Sequence, residues 1–131
     1  MIALFPARMN PPHLGHILTL FKIKDNYEKI IVAITSYEFE GEKENIMPVK
    51  EVLSKVHSIL KYFPEFEVIH NTIPFRNRIT FDDLPKFDIV VTGSKGVYNN
   101  AIKHKFKAKF IQRTVGYRGE TMRKMWRQEN E

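Results

Sequence analysis

Apolar residues along this chain follow two rhythms, and the switches between them outline a fold. Ile2-Ala3-Leu4-Phe5 is a short apolar run stopped by Pro6, the pattern of a buried strand. From residue 14 to about residue 26, Leu14, Ile17, Leu18, Leu20, Phe21 and Ile23 recur at helical spacing. Asn26 suits the end of that helix. Ile30-Ile31-Val32-Ala33-Ile34 is continuously apolar and mostly β-branched, as expected of a strand covered on both faces in a parallel sheet. The first third is therefore a βαβ unit.

Residues 36–46 are polar and read as a loop over the strand ends. Pro48 suits the first turn of a helix whose stripe runs through Val49, Val52, Leu53, Val56, Ile59, Leu60 and Phe63, closed by Pro64. Phe66-Glu67-Val68-Ile69 is a third strand. Residues 71–86 carry Pro74, Pro85 and the group Arg76, Asn77 and Arg78, and read as a loop with one helical turn at most. Phe87-Asp88-Ile89-Val90-Val91-Thr92 is a fourth strand ending at Gly93-Ser94, and residues 96–104 a short helix. Residues 105–111 alternate with period two, with lysines at 105, 107 and 109, as suits an edge strand guarded against edge-to-edge pairing. A last helix runs from Gly119 to about Gln128, with Met122, Met125 and Trp126 inward.

Strands alternating with helices predict an α/β fold: a Rossmann-like, doubly wound parallel sheet of about five strands in three α/β/α layers. Ligands of such sheets bind beyond the carboxyl ends of the strands. The turn after the first strand, the loop after Ile34, the 76–78 loop, Gly93-Ser94 and residues 113–123 should converge there.

Composition narrows this picture only modestly. At 131 residues, the expectation is one domain spanning 1–131. The chain has no cysteine, so neither disulfides nor thiolate metal sites hold it together. No apolar run reaches transmembrane length, and residues 1–5 are too short for a signal peptide, so the expectation is a soluble, cytoplasmic protein without membrane attachment. The formal charge of +6 suits an anionic partner and equally suits a lysine-rich solubilising surface. No aromatic–basic platform points to nucleic acid.

The chemistry concentrates in Ala7-Arg8-Met9-Asn10-Pro11-Pro12-His13-Leu14-Gly15-His16. Its two histidines sit at a strand-to-helix turn, where free N–H groups and the helix dipole attract phosphate, and Gly15 permits close approach. Taken alone, such a pair also occurs on ordinary surfaces and in metal sites. His57 reads as a helix-boundary residue, His104 as solvated, and His70 as a residue at the end of the third strand that could line an acceptor pocket.

The block resembles the signature of the nucleotidylyltransferase superfamily, which carries His-x-Gly-His after its first strand. Asn10-Pro11-Pro12-His13-Leu14-Gly15-His16 is most similar to the archaeal-type nicotinamide-nucleotide adenylyltransferases, with Arg8 at their motif arginine, Ala7 for their glycine and Met9 for their phenylalanine. Residues 45–53 resemble the family's loop into its second long helix. Phe87-Asp88-Ile89-Val90 with Gly93 resembles its fourth strand and base-cradling loop. Tyr117-Arg118-Gly119-Glu120-Thr121-Met122-Arg123 resembles its second signature, with Arg118 for serine, Glu120 for the phosphate-binding threonine, and Thr121 one place later.

The resemblance implies transfer of AMP from ATP to the phosphate of a mononucleotide-like acceptor, above all nicotinamide mononucleotide, giving NAD and pyrophosphate. It implies His13, His16 and Arg123 as catalytic residues and Mg²⁺ accompanying the triphosphate. Arg8, Met9, Asn10, Gly15, Gly93, Ser94, Arg113, Gly119 and Thr121 would bind nucleotide. Arg76, Asn77, Arg78 and Phe81 would bind the acceptor, with Phe81 standing in for the family's tryptophan. No resident metal ligand is implied. The partners are ATP or CTP and a small phosphorylated acceptor, and the superfamily commonly forms homo-oligomers. A CTP-dependent cytidylyltransferase and a pantetheine-phosphate adenylyltransferase are the alternatives within the class. Glu120 motivates one outside it, a non-catalytic nucleotide-binding module.

Overall fold

The computed structural model describes residues 1–7, 9, 14–35, 48–71 and 84–112. Among them, strands β1 (Ile2–Ala7), β2 (Lys29–Thr35), β3 (Phe66–Asn71), β4 (Ile89–Thr92) and β5 (Ala108–Phe110) form one sheet in the order β3-β2-β1-β4-β5. Every pairing is parallel. Helices α1 (Leu14–Ile23), α2 (Val49–Leu60) and α3 (Lys95–Lys103) connect them, and α1 tightens into a 3₁₀ turn at Lys24–Asn26.

The alternation of side chains along each strand divides the core between the two faces of the sheet. Ala3, Phe5, Ile30, Val32, Ile34, Ile89 and Val91 pack with Leu20 and Ile23 of α1 and Val52, Val56 and Leu60 of α2. On the other face, Leu4, Ile31, Ala33 and Val90 pack with Val97 and Ala101 of α3. The run 30–34 is buried at every position because each residue has a helix layer or a neighbouring strand beside it. The expected doubly wound, three-layer α/β/α architecture is therefore what the described residues build.

Several boundaries shift by two or three residues (β4, for one, begins at Ile89 rather than Phe87), and three of the shifts have a local cause. β1 runs through Pro6 rather than ending there, with Pro6 opposite Ala33. The Ile2 carbonyl accepts from the Asp88 N–H, so even-numbered residues of β1 turn their backbone groups toward β4. The β1–β4 pairs are Ala3 with Ile89 and Leu4 with Val90. By that register Pro6 falls opposite Thr92, past the last β1–β4 pair, while β1 carries on along β2 as far as Ala7 opposite Ile34.

α2 ends at Leu60, not Phe63. The Phe63 N–H turns back to the Leu60 carbonyl at 3.0 Å, and the residue before a proline disfavours helix. Phe63 kept its place in the apolar pattern for another reason: its ring packs against Phe21 and Phe66, at centroid distances of 4.9 and 6.3 Å.

β5 begins at Ala108, not residue 105, because the preceding residues close α3. Lys105 takes a left-handed backbone with φ 65°, its N–H donates to the Ile102 carbonyl, and the Phe106 N–H donates to Ala101. That pair of bonds is a Schellman motif, and it uses backbone groups the strand would have needed. β5 does lie at the sheet edge, as expected. The loops 36–46 and 72–83 and the C-terminal helix expected from Gly119 lie outside the described residues.

Candidate functional site

With all strands parallel, their carboxyl ends share one edge of the sheet. Crossovers through α1 and α2 build β1-β2-β3 outward in one direction, and the chain then returns to place β4 on the other side of β1. The winding reverses between β1 and β4, and this switch point opens the crevice where α/β sheets bind ligands. The chain leaves β1 toward α1 on one side of it, and leaves β4 toward α3 on the other.

On the first side, Met9 follows β1 with φ 49°, a left-handed backbone unusual for a residue with a side chain. Its side chain is 1% exposed and belongs to the core shared with α1 and α2. Met9 as a whole is therefore buried, and its side chain anchors the chain to the core just after β1. Gly15 and His16 fall in the first turn of α1, Gly15 buried and His16 half-buried. The Thr19 hydroxyl, itself buried, donates to the Gly15 carbonyl at 2.8 Å. No acidic residue occupies the first turn of α1, so nothing there competes with an anion for the positive end of the helix dipole.

On the second side the turn is two residues long and holds itself. The Ser94 N–H donates to the Thr92 hydroxyl at 3.0 Å, and the Ser94 hydroxyl accepts from the Val97 N–H at 3.4 Å as the N-cap of α3. The Thr92 carbonyl accepts from the Ile111 N–H, tying the end of β5 to the same spot. α3 likewise lacks acid in its first turn and opens on the exposed Lys95, a cation beside a positive helix end. On the 3₁₀ turn after α1 the pKa of Lys24 is raised, first by its hydrogen bond to Asp25 and then by the nearby charges of Asp25 and Glu65.

Of the residues singled out from the sequence, Met9, Gly15, His16, Gly93 and Ser94 are described, and the topology brings them to the two sides of one switch point. His70 is exposed at the carboxyl end of β3, opposite Ile34. His57 is exposed on α2 and His104 at the end of α3. Arg8, Asn10, His13, Arg76, Asn77, Arg78, Phe81, Arg113, Gly119, Thr121 and Arg123 lie outside the described residues. Sequence reasoning passed over Thr19. Its signal was a lone hydroxyl on the inner stripe of α1, four residues after the glycine of the motif.

Comparison with known proteins agrees with this geometry. Residues 4–127 match the family model described as cytidylyltransferase-like. The chain is 32% identical over 110 residues to nicotinamide-nucleotide adenylyltransferase 1 of Sulfolobus acidocaldarius, covering 77% of this chain and 62% of that protein. It is 28% identical over 111 residues to the nicotinamide-nucleotide adenylyltransferase of Sulfurisphaera tokodaii, covering 77% of this chain and 63% of the relative. It thus spans about three-fifths of the length of these curated relatives. Among solved structures, a bifunctional NMN adenylyltransferase/ADP ribose pyrophosphatase from Francisella tularensis superposes with a TM-score of 0.77 at 14% identity, over 98% of this chain and 42% of the other. A second structure of that protein, complexed with AMP and a Mn ion, gives a TM-score of 0.69 at 14% identity, over 95% of this chain and 41% of the other. With that family model matched by residues 4–127 of its 131, the chain belongs to the cytidylyltransferase-like family.

Proposed function

We propose that this chain is a nucleotidyltransferase that moves AMP from ATP to the phosphate of nicotinamide mononucleotide, releasing pyrophosphate. The observation that carries the reading is that Gly15 and His16, from the His-x-Gly-His block of the sequence, fall in the first turn of the helix that follows β1, the strand beside the switch point. The archaeal relatives, named as nicotinamide-nucleotide adenylyltransferases, support the choice of acceptor.

A phosphate oxygen of the acceptor attacks the α-phosphorus of ATP, a new P–O bond forms, and the bond to the β-phosphate breaks. The nucleophile is already anionic, so no strong base is needed, and the protein's work is alignment and charge stabilisation. His13 and His16 donate to phosphate oxygens as charge builds on them, with the first-turn N–H groups of α1 behind them. Arg8 and Arg123 clamp the polyphosphate. Gly93 leaves room for the base, and Ser94, whose oxygen is engaged by the Val97 N–H, keeps a hydroxyl proton to donate. Arg76, Asn77, Arg78 and Phe81 receive the acceptor. Mg²⁺ bound to the triphosphate would supply charge screening, with Arg8 and Arg123 adding theirs from the protein. Among the described residues no group of three or more His, Asp or Glu side chains is placed to hold such an ion independently.

Pyrophosphate release across a panel of ATP, CTP, GTP and UTP with nicotinamide mononucleotide, glycerol 3-phosphate and 4′-phosphopantetheine tests the reading. ATP with nicotinamide mononucleotide should be the fastest pair. Faster turnover with CTP would replace adenylyl by cytidylyl transfer, and ATP binding with no turnover would make the chain a binding module.

A further inference from the structure

Thr19 stands out because a hydroxyl on the inner face of α1 is at odds with its neighbours. Leu20 and Ile23 on the same helix are buried apolar residues, and Thr19 itself is only 7% exposed. A valine of the same shape would fill that position without a polar atom to satisfy. The hydroxyl instead reaches back one turn and donates to the Gly15 carbonyl at 2.8 Å. In the helical ladder the same carbonyl is the acceptor for residue 19's own N–H, so it receives two bonds.

That carbonyl is not arbitrary. The Gly15 C=O and the His16 N–H belong to one rigid peptide plane. Anything that holds and polarises the carbonyl therefore holds and polarises the N–H, which points out of the first turn toward the carboxyl edge of the sheet. Gly15 is the residue with the widest backbone freedom in the motif, so its peptide is where an external restraint matters most. A chain of hydrogen bonds strengthens each of its members. We propose that Thr19 is a positioning residue: its hydroxyl fixes the Gly15–His16 peptide plane and sharpens the His16 N–H as a donor to a phosphate oxygen of the nucleotide. This rests on the nucleotidyl-transfer reading and adds to it a residue outside the motif, one turn behind the phosphate.

The test compares Thr19→Val, which keeps the shape and deletes the hydroxyl, with Thr19→Ser, which keeps the hydroxyl. The outer flank of Thr19 opens on a cleft of about 260 Å³ between α1 and β5, so valine enters without overpacking. Thr19→Val should lower kcat about three- to tenfold, the worth of one net hydrogen bond. The KM for ATP should stay within about twofold, because the bond tightens as charge develops on the phosphate. The serine variant should recover the wild-type rate although it loses a buried methyl group and some stability, and both variants should be folded at the assay temperature. In an amide spectrum, the His16 N–H should move upfield in the valine variant alone. Wild-type kcat in a folded Thr19→Val protein would overturn the proposal, as would a rate loss that serine fails to restore. If the wild-type chain turns over no substrate pair, nucleotidyl transfer falls, and titration of tripolyphosphate against the His16 amide still decides the role of Thr19. A His16 amide that responds to tripolyphosphate in the wild type, and that lies upfield with a smaller response in the valine variant, supports it. The same His16 shift and response in the two proteins, or no response of that amide in the wild type, contradicts it.

Discussion

Met9 and Lys105 share a left-handed backbone, with φ 49° and 65°, and differ in almost everything else. Lys105 is exposed and follows a helix, and its conformation is fully accounted for by the two Schellman bonds that end α3. A glycine would do the same work with less strain. Met9 follows a strand, its side chain is sealed in the core, and the turn it enters leads to the switch point. There a glycine would relieve the backbone but lose the anchor. The same backbone conformation marks an ordinary helix end in one place and a residue sealed in the core beside the switch point in the other. Strain becomes informative about function when the side chain bearing it is fixed for a different reason.

The largest expected effect separates the histidines near the two turns. His16→Ala should cost roughly 10²–10³ in turnover with little change in unfolding temperature, since one donor to the transition-state phosphate is lost. His104→Ala, at the α3 end, should leave both unchanged, and steady-state kinetics with thermal melts reads the contrast. Next comes the anchor. Met9→Ala should lose about 2–5 kcal/mol in urea unfolding, as deleting a buried methionine side chain does. It should also slow turnover at temperatures where it is folded, because the turn loses its grip on the core. Unchanged kinetics there would separate Met9 from the site.

Lys105→Gly should go the opposite way, gaining about 0.5–1 kcal/mol in the same assay without touching turnover. Smallest of all is the Lys24 cluster, outside both turns. Its folded-state pKa is raised by Asp25 and Glu65, so its stabilising contribution is full below the ordinary lysine pKa and fades as pH climbs through the raised value. Lys24→Met should be slightly less stable than wild type at pH 8, and the difference should vanish in strong alkali, as paired melts would register.

Much of the scaffold was legible because its signals are periodic. The unbroken run 30–34 announced a strand buried on both faces, and the stripe from Val49 to Leu60 announced α2. The errors came where one residue served two patterns. Phe63 is apolar at the right spacing but belongs to a ring cluster beyond the helix. Pro6 reads as a stop, yet it lies where the ladder on its side has run out. Lys105 and Phe106 alternate like strand residues but are engaged in capping. At the site, His13-Leu14-Gly15-His16 was legible as a motif, and Gly93-Ser94 as the end of a strand. Thr19 was not, since periodicity weighs where a side chain points and says nothing of which carbonyl its hydroxyl reaches. Arg76, Asn77, Arg78 and Phe81 were assigned from a stretch without periodicity, where only charge and residue type could speak.

The central claim is that the turn from β1 into α1 carries out adenylyl transfer. The most direct test is to incubate the chain with ATP, Mg²⁺ and nicotinamide mononucleotide and to identify the products by mass spectrometry. The account predicts NAD and pyrophosphate in equal amounts, with product formation collapsing in His16→Ala. AMP or ADP without a dinucleotide, or an undiminished yield in the folded His16→Ala variant, would contradict it.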